Sequence, residues 1–327
     1  MSNIIGIDPD QDYRYDPQQA KPAGWCHMCG GEIWGDAELC RQCQKEMDGA
    51  DESDEDPTGW IKISEEEYRS HPAISRSELW KLHDSPEKFR HEKDHPGEPT
   101  PALIFGPMFH KLALEPETFY EEFAVAPKCN RSTKAGKAIW NEFLAASIGK
   151  TVVTEEAYEQ ASAMVASMMS NPDAVKLLNG YHEVSFFWTD EDTGEECKCR
   201  ADCLCTGYRI PIVVDLKTTE DASTDGFARH AINYGYDFQA AYYGDGIAKN
   251  IGQMPLFVFI AVEKKPPYAV NILQADDLFI QRGRRITREL LDTYRDCKES
   301  GDWYGYLGRE NKINILSLPA WAAREME

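Results

Sequence analysis

Residues 210–219, IPIVVDLKTT, constrain this chain more than any other stretch. The run is apolar enough to be a central strand of a sheet, yet it carries Asp215 and Lys217 near its end. Side chains alternate along a strand, so residues two apart share a face. A charged pair on a buried strand is costly unless a metal ion or another partner matches it. The stretch therefore predicts a sheet core and, at its margin, a charged site.

The flanking sequence supplies the rest of the sheet. HEVSFFWTD (182–190) and CKCRADCLCT (197–206) read as strands separated by the turn Glu191-Asp192-Thr193-Gly194, and Gly207-Tyr208-Arg209 turns into the third. Residues 224–249 predict a helix with Gln239 and Tyr243 on one face. PLFVFIAVE (255–263) predicts a fourth strand, YAVNILQ (268–274) a fifth and 275–299 a closing helix. Upstream, 63–93 reads as helix, break at Pro72, then a second helix capped by Ser75 or Ser77 and ended by Pro86. An apolar helix begins near Gly106-Pro107, and 131–146 and 154–178 have helical periodicity. Helices, a three-strand meander, a helix and a strand describe an α/β domain with a mixed sheet.

The front of the chain differs. Of a net charge of −21, residues 1–58 hold 14 acidic and 4 basic residues, a balance of −10. Residues 1–24 are expected to be disordered, 25–47 to form a zinc module, 48–58 to be an acidic linker, and 59–327 to form the main domain. Cys26, Cys29, Cys40 and Cys43 are two Cys-x2-Cys pairs, each able to offer two thiolates to one tetrahedral Zn²⁺. So small a segment has almost no apolar core, so the metal would supply its folding energy. Cys197, Cys199, Cys203 and Cys205 are all odd-numbered and are expected on one face, packed against a helix. An iron–sulfur or second zinc site is the alternative there.

The acid excess excludes a protein that coats nucleic acid with a general basic surface. It leaves room for a local basic groove, for which Lys128, Arg131, Lys134 and Lys137 are candidates. No apolar run reaches the roughly 18 to 20 residues that span a bilayer. The first residues lack the basic and apolar parts of a signal sequence. The expectation is a soluble, cytoplasmic protein with no membrane partner.

Asp202 has parity opposite to the neighbouring cysteines, and pairing through the Gly207 turn would set it beside Asp215. Two converging carboxylates repel one another, and a divalent cation relieves the repulsion; oxygen ligands favour Mg²⁺ or Mn²⁺ over zinc. Such a site suits phosphodiester hydrolysis, with Lys217 orienting or deprotonating water or neutralising charge in the transition state. Gln239 and Tyr243, one helical turn apart, could hold the DNA backbone or the Lys217 side chain.

The set Gly106-x-x-x-His110, Asp202, Asp215-Leu216-Lys217 and Gln239-x-x-x-Tyr243 resembles the PD-(D/E)XK nuclease superfamily in its RecB-like branch. From Ile63 onward the sequence is more similar still to the nuclease domain of exonuclease VIII, the RecE-type phage recombination exonucleases. ISEEEYRSHPAISRSELWKL, VVDLKTT, YGYDFQAAYYGDG and LSLPAWAAREME carry that likeness. The resemblance implies a PD-(D/E)XK fold that digests linear double-stranded DNA from the 5′ strand and leaves a 3′ single-stranded tail. It implies a single-strand annealing protein as partner and a ring-shaped homo-oligomer around the DNA. It also implies that His110, Asp202, Asp215 and the Leu216 carbonyl hold Mg²⁺, with Lys217 catalytic, Gln239 and Tyr243 as the helix pair and Glu183 as an extra acid. Asp215 stands where many relatives have glutamate, and the zinc module is foreign to the pattern. The alternatives are an endonuclease, a flap or single-strand nuclease, or a non-catalytic zinc-bearing adaptor.

Overall fold

A computed structural model describes residues 60–319 except 96, 98–100 and 311, of 101–103 the backbone alone, and Arg324. It also gives two short paired strands, β1 (Gly24–Trp25) and β2 (Glu32–Ile33). Cys26, Cys29, Cys40 and Cys43 lie outside the described residues, as does the acidic linker. Among the described residues no helix is long and apolar enough to cross a membrane.

The main domain opens with α1 (Glu65–Ser70), the short β3 (Ile74–Ser75), α2 (Arg76–Asp84) and α3 (Pro86–Asp94). Ser75 caps α2 in a reciprocal capping box with Glu78. Pro86 begins a new helix, for which Ser85 is the cap, because a first helical residue needs no N–H. Next, α4 (Pro101–Leu114) starts before Gly106 and runs through Pro107. After a 3₁₀ turn at Pro116–Thr118 come α5 (Phe119–Glu122), β4 (Phe123–Ala126), α6 (Lys134–Ala146), β5 (Thr151–Thr154), α7 (Glu155–Met169) and α8 (Pro172–Leu177). The expected helix over 154–178 is thus two helices, because Asn171 caps a second one at Pro172. β4 and β5, absent from the sequence reading, pair in parallel as a separate ribbon.

The central sheet uses β6 (Tyr181–Thr189), β7 (Glu196–Cys205), β8 (Ile212–Thr219), β9 (Leu256–Glu263) and β10 (Val270–Gln274). Its order is β10-β9-β8-β7, with β6 and β3 both paired to β7. β8 and β9 are parallel and β6, β7 and β8 antiparallel, so the sheet is mixed as expected. The parallel pair is joined through α9 (Thr224–Asn233) and α10 (Tyr236–Ile251), where the sequence suggested one helix. A long α11 (Asp277–Ser300) closes the domain.

Helices cover both faces of the sheet. On one, Val213, Phe257, Phe259 and Ala261 pack with Phe238, Tyr242, Ile286 and Leu290 of α10 and α11. On the other, Val214, Leu216, Val258 and Ile260 pack with Phe109 of α4, Met164 of α7 and Leu177 of α8.

The four β7 cysteines do not share a face. Cys197 and Cys199 belong to the first core and Cys203 and Cys205 to the second. The change of face in β7 falls between Ala201 and Cys203, opposite Glu183 of β6, which has φ +53. Pairing resumes on either side, Val184 with Ala201 and His182 with Cys203, but the Glu183–Asp202 rung is missing. A left-handed residue inside a strand turns the following side chains to the other face. Val184 accordingly sits in the first core, while both His182 ring nitrogens meet the Leu114 and Leu178 carbonyls beside the second. That contact makes His182 a structural residue.

Candidate metal and phosphate site

The sheet opens where the acids are. β8 pairs with only three residues of β7, ending at Val214–Cys203. Beyond that rung the strands separate, and β3 takes up β7 instead, Ile74 with Cys197 and Ser75 with Lys198. Asp202 and Asp215 are the next residues at the fork. A side chain there replaces the missing ladder bond: the Leu216 N–H donates to Asp202 Oδ2 at 2.7 Å.

His110 reaches the same spot from α4. Its Nε2–H donates to the Leu216 carbonyl at 3.0 Å, and its Nδ1 lies 3.4 Å from Asp202 Oδ2. Burial alone would lower the imidazole pKa, but the Asp202 charge and hydrogen bond lift it to about 9. The arrangement thus favours the charged imidazolium, and a cation bound through either ring nitrogen would displace that nitrogen's proton. Asp202 is held below the usual carboxylate range: burial works against this, and His110, Lys217 and the Leu216 N–H outweigh it. Glu183 completes the group through its left-handed backbone. Its carboxyl is pushed up to about 8, first by burial and then by the Asp202 charge.

Ligand atoms of His110, Glu183 and Asp202 all lie within 4.8 Å of one another, the one such group found among the described residues. The donor set fits a divalent cation. Two buried carboxylates are brought together although one of them resists ionisation, and a positive ion would remove that conflict.

Asp215 faces the other way, toward α10. Its Oδ1 accepts a hydrogen bond from Gln239 Nε2, and its Oδ2 forms an ion pair with Lys217 Nζ. Burial, with Asp202 second among the causes that raise it, shifts its pKa up. Lys217 is raised in turn: burial disfavours its charge, and Asp215 more than offsets that. The ammonium also lies 4.8 Å from the centre of the Tyr236 ring, a cation–π contact.

The structure thus brings His110, Asp202, Leu216 and Glu183 into one cluster and sets Asp215, Lys217 and Gln239 beside it. Gln239 holds Asp215 rather than Lys217. Tyr243 is half-buried with its ring against Phe257, and burial raises its hydroxyl well above the usual value. Of the candidate basic residues, Lys128 is matched by Glu155 and Glu156 at 3.4 and 3.7 Å. Arg131 lies over the Trp140 ring at 4.2 Å, and Lys134 and Lys137 are exposed on α6. Sequence reasoning missed Tyr236, whose only signal was its place one helical turn before the Gln239–Tyr243 pair.

No curated protein matches this chain in sequence. Among solved structures it is similar to the crystal structure of a "Putative exonuclease" from Eubacterium rectale, with TM-score 0.52 and 15% identity over 80% of this chain and 98% of that one. A second match, the structure of SSO0001, has TM-score 0.29 and 14% identity over 70% of this chain and 81% of that one, too low to bear on the fold. The family described as "PDDEXK-like domain of unknown function (DUF3799)" matches residues 75–313, which hold every cluster residue named above. By that match, and with a mixed sheet that forks at its acids, the chain belongs to this PDDEXK-like family.

Proposed function

We propose that this protein is a metal-dependent nuclease that digests linear double-stranded DNA from its ends. The observation that carries the reading is the convergence of His110, Glu183 and Asp202 at the fork, beside the Asp215–Lys217 pair. His110, Glu183 and Asp202 would hold Mg²⁺ or Mn²⁺, with the Leu216 carbonyl in the same cluster and Asp215 beside it, held by Gln239 and Lys217. The bound ion supplies Lewis acidity toward a phosphoryl oxygen and lowers the pKa of an attacking water.

The chain's own groups divide the remaining work. Lys217 is held protonated by Asp215, which suits neutralising charge on the phosphate better than accepting a proton. Gln239 fixes the Asp215 carboxylate and so the direction of the ammonium. Asp202, ionised and anchored by the Leu216 N–H, fixes the position of His110.

The finer reading is resection. The 5′ strand is removed, a 3′ tail is left, and a single-strand annealing protein uses the tail in phage-type recombination. Its support is the sequence likeness to exonuclease VIII. A ring-shaped oligomer and a structural Zn²⁺ at the front of the chain belong to the same proposal.

Incubating linear and circular duplexes with Mg²⁺ or Mn²⁺ tests the reading. Loss of linear DNA only, stopped by a chelator and reduced at least about 10²-fold by Lys217→Ala, is the expected result. Cutting of circles would assign an endonuclease, and no digestion with any divalent ion would assign a binding protein.

A further inference from the structure

The corner between α9 and α10 is built more firmly than a connection requires. Arg76 donates to the carbonyls of both Tyr234 and Gly235, the second at 2.7 Å. Its guanidinium also lies over the rings of Trp80 and Phe238, at 5.4 and 5.6 Å. Gly235 has φ +64, and a Cβ there would meet the Trp80 ring at 2.5 Å. Only glycine fits such a position without strain.

This fixed corner presents aromatic rings next to the phosphate-handling groups. His230, in the last turn of α9, stacks on Tyr234 with centroids 4.4 Å apart and planes 22° from parallel. The Tyr236 hydroxyl lies 3.3 Å from His230 Nε2, and its ring is the one that covers Lys217. Tyr236 is anchored from behind by Phe227 and Phe259. Tyr234 has no such backing from the core and is 55% exposed.

We propose that Tyr234, with His230 and Tyr236 behind it, is a platform on which a nucleobase stacks while its phosphate meets Lys217. The ligand is an unpaired base at the end of a DNA strand. This deepens the nuclease reading and rests on it for the location of the phosphate. Stacking on an aromatic face tolerates every base, as an enzyme that removes successive nucleotides requires. The locked corner means that binding orders little that is not already ordered. Paired bases inside a duplex keep their faces covered, so the platform favours a frayed end over intact helix.

The test is equilibrium binding to a short fluorescent duplex with two unpaired nucleotides at one 5′ end, in Ca²⁺ to hold back cleavage. Wild type, Tyr234→Ala and Tyr234→Trp are each compared on the intact end and on one whose two terminal positions are abasic. Tyr234→Ala is expected to weaken binding of the intact end about tenfold. The abasic end should weaken wild type by a similar factor and Tyr234→Ala no further, with Tyr234→Trp restoring the intact-end affinity. Equal weakening on both ends, or none on either, overturns the platform. Digestion of the same duplex in Mg²⁺ is read separately. Wild type that discriminates the two ends but cuts neither would remove the nuclease reading and leave the platform standing.

Discussion

Glu183 is the residue on which local geometry and chemistry meet. A glutamate at φ +53 gives up roughly 1 kcal/mol against an ordinary strand conformation. It also buries a carboxyl beside the charged Asp202. Neither feature helps the fold, and both serve to direct a third donor toward His110 and Asp202. Asparagine tolerates the left-handed region better and carries no charge. Glu183→Asn should therefore raise the metal-free thermal stability by on the order of 1 kcal/mol. The same substitution should remove most of the stabilisation that Mn²⁺ or Mg²⁺ gives wild type. Calorimetry in chelator and again with added metal measures both. A metal-free variant less stable than wild type would show that the conformation is not strained. The site residues were legible one by one, since acids and a lysine on an apolar strand are conspicuous in any sequence. Their grouping was not, because parity counting assumes an unbroken strand. The turn at Glu183 changes which face each later residue takes, and nothing in HEVSFFW announces it.

Element boundaries show the same division between what local pattern fixes and what packing decides. The strands of the central sheet were readable from apolar runs between turn residues, and each falls within two residues of its observed bounds. The break at Gly235 was hidden, because the apolar periodicity continues across it. β4 and β5 are four residues each, too short for a period to register. Close helix packing left a clearer trace in its glycines. Gly283 on α11 lies against α10 so tightly that a Cβ would sit 2.0 Å from the Asp237 carbonyl oxygen. Gly244 on α10 has only Met254 Sδ near its own would-be Cβ, at 3.8 Å. The two predict opposite outcomes for the same chemical change. Gly283→Ala should push the helices apart, cost about 2 kcal/mol and lower nuclease activity, because α10 also carries Gln239. Gly244→Ala should gain about 0.5 to 1 kcal/mol from helix propensity and fill space without a clash. Urea unfolding of both variants decides the matter, and a stabilised Gly283→Ala would refute the tight contact.

At the scale of the whole molecule, several large apolar side chains stand exposed among the described residues. Helix α6 buries only Gly136. Ile139, Leu144 and Ile148 on and just after it are 48%, 44% and 82% exposed. Ile313, Ile315 and Leu316, in the extended stretch beyond α11, are each more than 90% exposed. Burying each such large side chain against a partner would be worth about 1.5 to 3 kcal/mol. The ring proposed above would set a second copy of this chain against them. The basic residues of the same region fit a different task. With Lys128 paired to glutamates, Lys134 and Lys137 remain exposed on α6, in a protein of net charge −21. An acidic exterior with a few lysines lining a channel would admit DNA through the channel and discourage it elsewhere. The two roles separate by substitution. Ile139→Asp with Leu144→Asp should return the assembly to the 37.1 kDa of a single chain in light scattering. Lys134→Glu with Lys137→Glu should leave the mass unchanged while weakening DNA binding and flattening its salt dependence, since each lost phosphate contact removes released counterions. Wild type that runs as a single chain at every concentration would end the ring proposal, and the exposed face of α6 would then need another partner.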